Sequence, residues 1–232
     1  MDKETGMIEL PEPMKALIRG LEPKALTSFY GAPGTGKTNM CLLAALECAS
    51  KGGKVLFVDT EGGFSFERLR QLSPDMESIL HNIELVEPKD FSDQGEIIRS
   101  LPERKSALVI VDSLAALYRL EYSDPKPNSK SVLEANRELS RQLSILSNIA
   151  RENNIPVLVT THTFRNWETR ESEIIGGDSV KYWSKVIVYF ERTGKTSERK
   201  ATLMKHRYLP EGGDVKFMLV GEGIRPSGFR LF

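Results

Sequence analysis

Three uninterrupted apolar runs, KVLFVD at 54–59, ALVIVD at 107–112 and PVLVTT at 156–161, set the frame for this chain. Each is rich in Val, Leu and Ile, ends in polar residues and lacks the in-and-out alternation of a half-exposed strand. Such segments need cover on both faces, which a parallel sheet flanked by helices supplies. A fourth run, ALTSFYG at 25–31, leads directly into GAPGTGKT at 31–38. The clearest helical pattern spans 132–153. There Val132, Ala135, Leu139, Leu143, Leu146 and Ile149 recur at three- to four-residue spacing, with Glu134, Glu138, Arg141 and Arg151 opposite. Alternating strands and helices imply right-handed crossovers, which gather every strand's C-terminal end on one edge of the sheet. Ligands bind at that edge in folds of this kind.

After Gly176 the runs shorten to KVIVYFER, KATLMKHR and DVKFMLV, separated by TGKTSE, LPEGG and GEG. These read as hairpins that extend the sheet with antiparallel strands. The 232 residues, 40% of them hydrophobic, suffice for one sizeable core. Lysine plus arginine equals aspartate plus glutamate at 32 each, so no whole-molecule field draws the chain onto nucleic acid or membrane. Any such affinity must come from local patches. Cys41 and Cys48 lie in one apolar helical stretch without a CxxC pair and read as buried thiols of a reducing compartment. The first 24 residues lack a signal-peptide core and no run reaches membrane-spanning length, so a cytoplasmic location is expected.

The stretch Gly31, Ala32, Pro33, Gly34, Thr35, Gly36, Lys37 and Thr38 follows a strand and opens a helix, the context in which it acts as a phosphate loop. Glycines let backbone N–H groups close around phosphate oxygens, and the helix start adds a favourable dipole. Lys37 is expected at the β and γ phosphates, and the Thr38 hydroxyl on Mg²⁺. Asp112 ends its strand beside this loop, suited to holding the metal through water. Glu61, two residues past the strand end at Asp59, is placed either to polarise a water toward the γ-phosphate or simply to occupy an exposed turn.

The ordered set GAPGTGKT, VDTEGGFSFERL, VIVDSLAALYRLEY, VLVTTHT, IIGGDSVKYWSKVIVYFER and YLPEGGDVKFMLVGEGI resembles the RecA-like recombinases. More narrowly it is similar to archaeal RadA and above all its short paralogue RadB, over nearly the whole chain from about residue 25 to 224. The resemblance implies a RecA-like P-loop core at 25–232, mostly parallel with C-terminal antiparallel strands, preceded by a short segment at 1–24 without a helix-hairpin-helix domain. It implies ATP and Mg²⁺ as ligands, Glu61 as the base activating water, and Arg68 as the guanidinium stacked on adenine. His162 stands where the family places a γ-phosphate-sensing glutamine.

The departures from the family carry equal weight. The Phe-x-x-Ala hook that joins neighbouring subunits has no counterpart before Phe29. The first DNA loop reads YSDPKPNSKS, with Lys126 and Lys130 but no Arg or Gly. In the second, FRNWETRESEI, Arg165 and Arg170 are outnumbered by Glu168, Glu171 and Glu173, a poor composition for gripping phosphates. Phe164 and Trp167 read as base-stacking side chains or as a hydrophobic anchor for that loop. Lys205, His206 and Arg207 form the densest basic cluster. The readings open to it are a finger completing a neighbour's nucleotide site, a DNA patch shared with Lys195, Arg199 and Lys200, or a solvated strand end.

The expectation is therefore an ATP- and DNA-binding accessory protein of homologous recombination and DNA repair. Its ATPase would be weak, with little DNA stimulation, and its partners would be single- or double-stranded DNA and the main RadA-type recombinase. Alternatives are a fully active strand-exchange recombinase, a KaiC-like signalling ATPase and a P-loop kinase for a small metabolite.

Overall fold

The computed structural model describes residues 6–121, 129–165 and 172–227, apart from the side chains of Ser129, Lys130 and Arg165. Nine strands form one sheet: β1 (Ala25–Gly31), β2 (Val55–Asp59), β3 (Ile83–Val86), β4 (Leu108–Asp112), β5 (Pro156–Thr161), β6 (Val186–Arg192), β7 (Glu198–Lys205), β8 (Asp214–Val220) and β9 (Gly223–Pro226). Their spatial order is β9-β8-β7-β6-β1-β5-β4-β2-β3. In chain order β1 to β6 run parallel, and β7, β8 and β9 are added antiparallel.

Every residue of β1, β2, β4 and β5 is buried, as their unbroken apolar runs require. Successive side chains enter opposite layers. Phe57 and Ile110 meet Met40, Cys41 and Ala44 of helix α1 (Lys37–Ser50). On the other face Leu56, Val58 and Val109 join Leu139, Leu143 and Leu146. Those leucines belong to the long helix that follows α2 (Phe66–Leu72), α3 (Phe91–Ser100) and α4 (Ala116–Leu120), namely α5 (Ser129–Glu152). Its span agrees with the periodicity at 132–153 to within three residues.

Two features differ from expectation. KVIVYFER is not a hairpin strand on both sides: β6 pairs parallel with β1, and only its other edge meets antiparallel β7. The crossover from β5 through helix α6 (Gly177–Trp183) returns β6 in the parallel sense, so the antiparallel extension begins one strand later. The second is β3, which no apolar run announced. It has four residues with Glu84 exposed among them, and at the sheet's edge it needs little hydrophobic cover.

Residues before β1 pack into the same core. Ile8–Glu9 pairs antiparallel with Gly20–Leu21 around the short helix Met14–Ile18, and Met14, Ile18 and Leu21 are fully buried on the α1 side. Cys41 and Cys48 are free, buried thiols; burial pushes Cys48 up to about 11 and Cys41 well above its ordinary range. Among the described residues no helix is long and apolar enough to cross a membrane.

Leu21→Ala should therefore cost about 2–5 kcal/mol, read from urea unfolding. A variant as stable as the parent would show that the first 24 residues contribute nothing to the core.

Candidate nucleotide-binding site

The loop from β1 to α1 is shaped by backbone that only glycine adopts cheaply: Gly34 has φ of 72° and Gly36, the helix N-cap, 100°. Space is also short, since a Cβ on Gly34 would stand 2.4 Å from the Arg192 guanidinium. The Thr35 hydroxyl donates to the Ala32 carbonyl at 2.8 Å. Lys37 is buried, and its Nζ donates to the carbonyls of Gly31 at 2.9 Å and Ala32 at 3.1 Å. Burial lowers its pKa, against the opposing pull of Asp112 and Glu61. An ammonium held by carbonyls alone keeps its charge uncompensated at contact distance, which suits an anionic ligand.

Parallel pairing of β2 with β4 sets Asp59 beside Asp112 at the strand ends. Asp112 is buried and accepts a hydrogen bond from the Thr160 hydroxyl, with that of Thr38 close by; burial raises its pKa despite them. Asp59 does a different task. Its carboxylate accepts the N–H groups of Glu61 at 3.1 Å, Gly63 at 3.2 Å and Phe64 at 2.7 Å, closing the turn that presents Glu61. Thr60 ties the same turn to β4: its hydroxyl donates to the Ser113 carbonyl at 2.7 Å and accepts the Ser113 N–H at 2.8 Å. The signal for Asp59 in the sequence is the aspartate followed by paired glycines, which marks a turn.

Glu61 reaches across to His162, at the end of β5, and its Oε1 is hydrogen-bonded to Nε2. That bond is the main reason its carboxyl lies below the usual range, with burial opposing. His162 Nδ1 is buried and has no partner among the described residues. Pro33, Gly34, Gly36, Lys37, Thr38, Glu61, Asp112 and His162 line one cleft of about 220 Å³. A hollow of 440 Å³ between residues 9–15 and α1 is larger, but most of its charges are paired on the surface, Glu9 with Lys15 and Glu47 with Lys51. Converging chemistry therefore picks the smaller cleft.

Arg68 is fixed by in-plane bonds: to Asn39 Oδ1 at 2.9 and 2.6 Å, Gln71 at 2.8 Å, and the carbonyls of Gly221 at 2.8 Å and Val220 at 3.0 Å. These set the orientation of its guanidinium plane. Two arginines not singled out as nucleotide-site residues also brace the loop. Arg192 donates to the Pro33 carbonyl at 3.1 Å and Arg199 to that of Gly34 at 2.9 Å, from directly paired positions on β6 and β7. Only the three-dimensional register reveals them.

The structure does not unite the expected basic patch. Lys205 lies opposite Ile187 and Arg199 opposite Arg192, so the two ends of β7 are about 20 Å apart. Lys205 Nζ bonds the Lys181 carbonyl at 2.6 Å and Arg207 that of Lys24 at 2.6 Å. His206 Nε2 lies 3.8 Å from Glu22, and burial lowers its pKa. At the other end, Lys200 pairs with Glu191 at 3.0 Å and Lys195 with Glu198 at 3.7 Å. Arg170, Trp167, Glu168, Glu171 and Lys126 lie outside the described residues, as do the side chains of Arg165 and Lys130. Phe164 is exposed on the hairpin of Thr163–Arg165 with Ser172–Ile174 that follows His162.

A parallel sheet with a glycine-shaped loop and a buried lysine after β1, and a buried aspartate ending β4 with β5 inserted between the two strands, defines a RecA-like P-loop fold. The Rad51 family matches residues 4–227, and this chain belongs to that family, on its RadB branch. The DNA repair and recombination protein RadB of Methanosphaera stadtmanae is 36% identical over 90% of this chain and 91% of its own. That of Methanococcus maripaludis is 37% identical over 91% and 96%. A crystal structure of the RadB recombinase superposes with a TM-score of 0.76 at 33% identity, covering 92% of this chain and 96% of that one. Membership implies nucleotide binding, and the cleft fits it. Lys37 offers an uncompensated cation to phosphate, while the Thr38 hydroxyl and buried Asp112 are hard oxygen donors of the kind Mg²⁺ takes.

Asp59→Ala removes the acceptor of three N–H groups and should cost about 2 kcal/mol in denaturant unfolding. An unchanged midpoint would show that the Glu61 turn is held by other means.

Proposed function

We propose that this chain is an ATP- and DNA-binding accessory protein of homologous recombination and DNA repair, with weak ATPase activity and no efficient strand exchange of its own. The observation that carries the reading is the convergence of Lys37, Thr38, Asp112 and Glu61 on one cleft in a chain akin to proteins named for DNA repair and recombination. Bound Mg-ATP supplies the phosphoanhydride to be cleaved, with the ion offsetting phosphate charge. Lys37 holds the β and γ phosphates, Thr38 and Asp112 hold the ion, and Arg68 presents its flat face to adenine. Glu61 takes a proton from the attacking water.

Weak engagement of DNA is supported by the paired state of two of the cations near the loop. Lys195 and Lys200 already face glutamates, so few counterions remain to be released on phosphate binding. Lys205, His206 and Arg207 stand on the opposite sheet edge, out of reach of the chain's own cleft. They are assigned to contacts beyond it, with DNA or with a second subunit's nucleotide. A RadA-type recombinase is the partner whose strand exchange the protein assists.

Nucleotide affinity and steady-state hydrolysis, with and without single-stranded DNA, test this. Lys37→Ala is expected to lose ATP binding, whereas Glu61→Gln keeps it and hydrolyses roughly 10²-fold more slowly. Wild type is expected to pair homologous strands only when a RadA-type recombinase is added. Efficient strand exchange by the purified protein alone, with DNA-accelerated hydrolysis, would contradict the accessory role.

A further inference from the structure

We infer that His162 is a positioning residue with one N–H and two competing acceptors: in the nucleotide-free cleft it holds Glu61, and it releases Glu61 when a γ-phosphate oxygen takes that N–H. The inference rests on Glu61 being the water-activating base. It adds what holds that base while no triphosphate is bound.

The geometry starts at Glu61 Oε1 and His162 Nε2, which are hydrogen-bonded across 101 residues of sequence. An ionised carboxylate only accepts, so Nε2 carries the hydrogen. A neutral imidazole has one N–H, and Nδ1 is left presenting a lone pair. That nitrogen is buried, without a partner among the described residues, on a side chain lining the same cleft as Lys37 and Thr38. Phosphate oxygens are acceptors too, so in this pose neutral His162 offers them nothing. To contact phosphate it must turn its ring, and turning the ring frees Glu61.

The ring has little other freedom. The His162 carbonyl accepts the Ile175 N–H at 2.9 Å, and the Thr161 hydroxyl donates to the Ile175 carbonyl at 3.0 Å, so side-chain rotation is the available motion. The charged groups around the pair are Lys37 from α1, Asp112 from β4 and Asp59 from the end of β2. A carboxylate already satisfied by an imidazole is a weaker base, and its oxygen is committed away from the water it must deprotonate. Glutamine at this position would differ in one respect that matters: its amide has two N–H groups and can hold carboxylate and phosphate together.

The test compares wild type, His162→Gln and Glu61→Gln by single-turnover hydrolysis and by KM for ATP, alongside ¹⁵N spectra of the histidine rings. With three histidines in the chain the rings are readily assigned. His162→Gln, which need not give up Glu61 to reach phosphate, is expected to lower the KM for ATP about fivefold or more without raising kcat. In wild type, Mg²⁺ with a non-hydrolysable ATP analogue is expected to shift the His162 ring nitrogens, and ADP to leave them in place. The ring spectra need no variant, so they decide the matter even if His162→Gln folds poorly. A His162→Gln enzyme with the wild-type KM, or ring spectra identical with analogue and ADP, would overturn the latch alone. Glu61→Gln hydrolysing like wild type would overturn the assignment of Glu61 and the latch with it.

Discussion

The register between β2 and β4 places two carboxylates side by side at the ends of buried strands, and the site is built around satisfying them. Burying charge is costly unless it is hydrogen-bonded, and the two aspartates solve the problem differently. Asp59 is saturated by the backbone of its own turn, whereas Asp112 is met by one threonine hydroxyl from β5, with that of Thr38 on α1 close by. One acid has become structural, and the other keeps capacity for a cation. Because Asp59 spends itself on the turn, Glu61 is carried over the cleft rather than into solvent.

The same edge explains how distant segments converge. β4 lies between β2 and β5, so Glu61 and His162 face each other across Asp112, with Lys37 near both carboxylates. From the far side, Arg192 and Arg199 hold the loop's outer carbonyls. Each element supplies one end, and the parallel fold supplies the alignment.

Much of this was legible in the sequence where the determinant is local. The phosphate loop, the strand-ending Asp112 and the amphipathic α5 each carry their physics within a short window. What was not legible depends on register between strands. The Glu61 to His162 bond, the bracing by Arg192 and Arg199, and the separation of Lys205 from Lys195 follow from which strand ends meet. The parallel sense of β6 is set by its crossover, not by its composition. Short β3 carries no such signal because an edge strand needs no long apolar run.

Hydrogen exchange of the backbone amides, compared between the free protein and its Mg-ATP and ADP complexes, tests the central claim that these strand ends form one triphosphate cleft. Protection should rise at residues 31–38 with either nucleotide, and at 60–64 and 162 only with ATP. Unchanged exchange at 31–38, or protection confined to the opposite edge around 205–207, would contradict it.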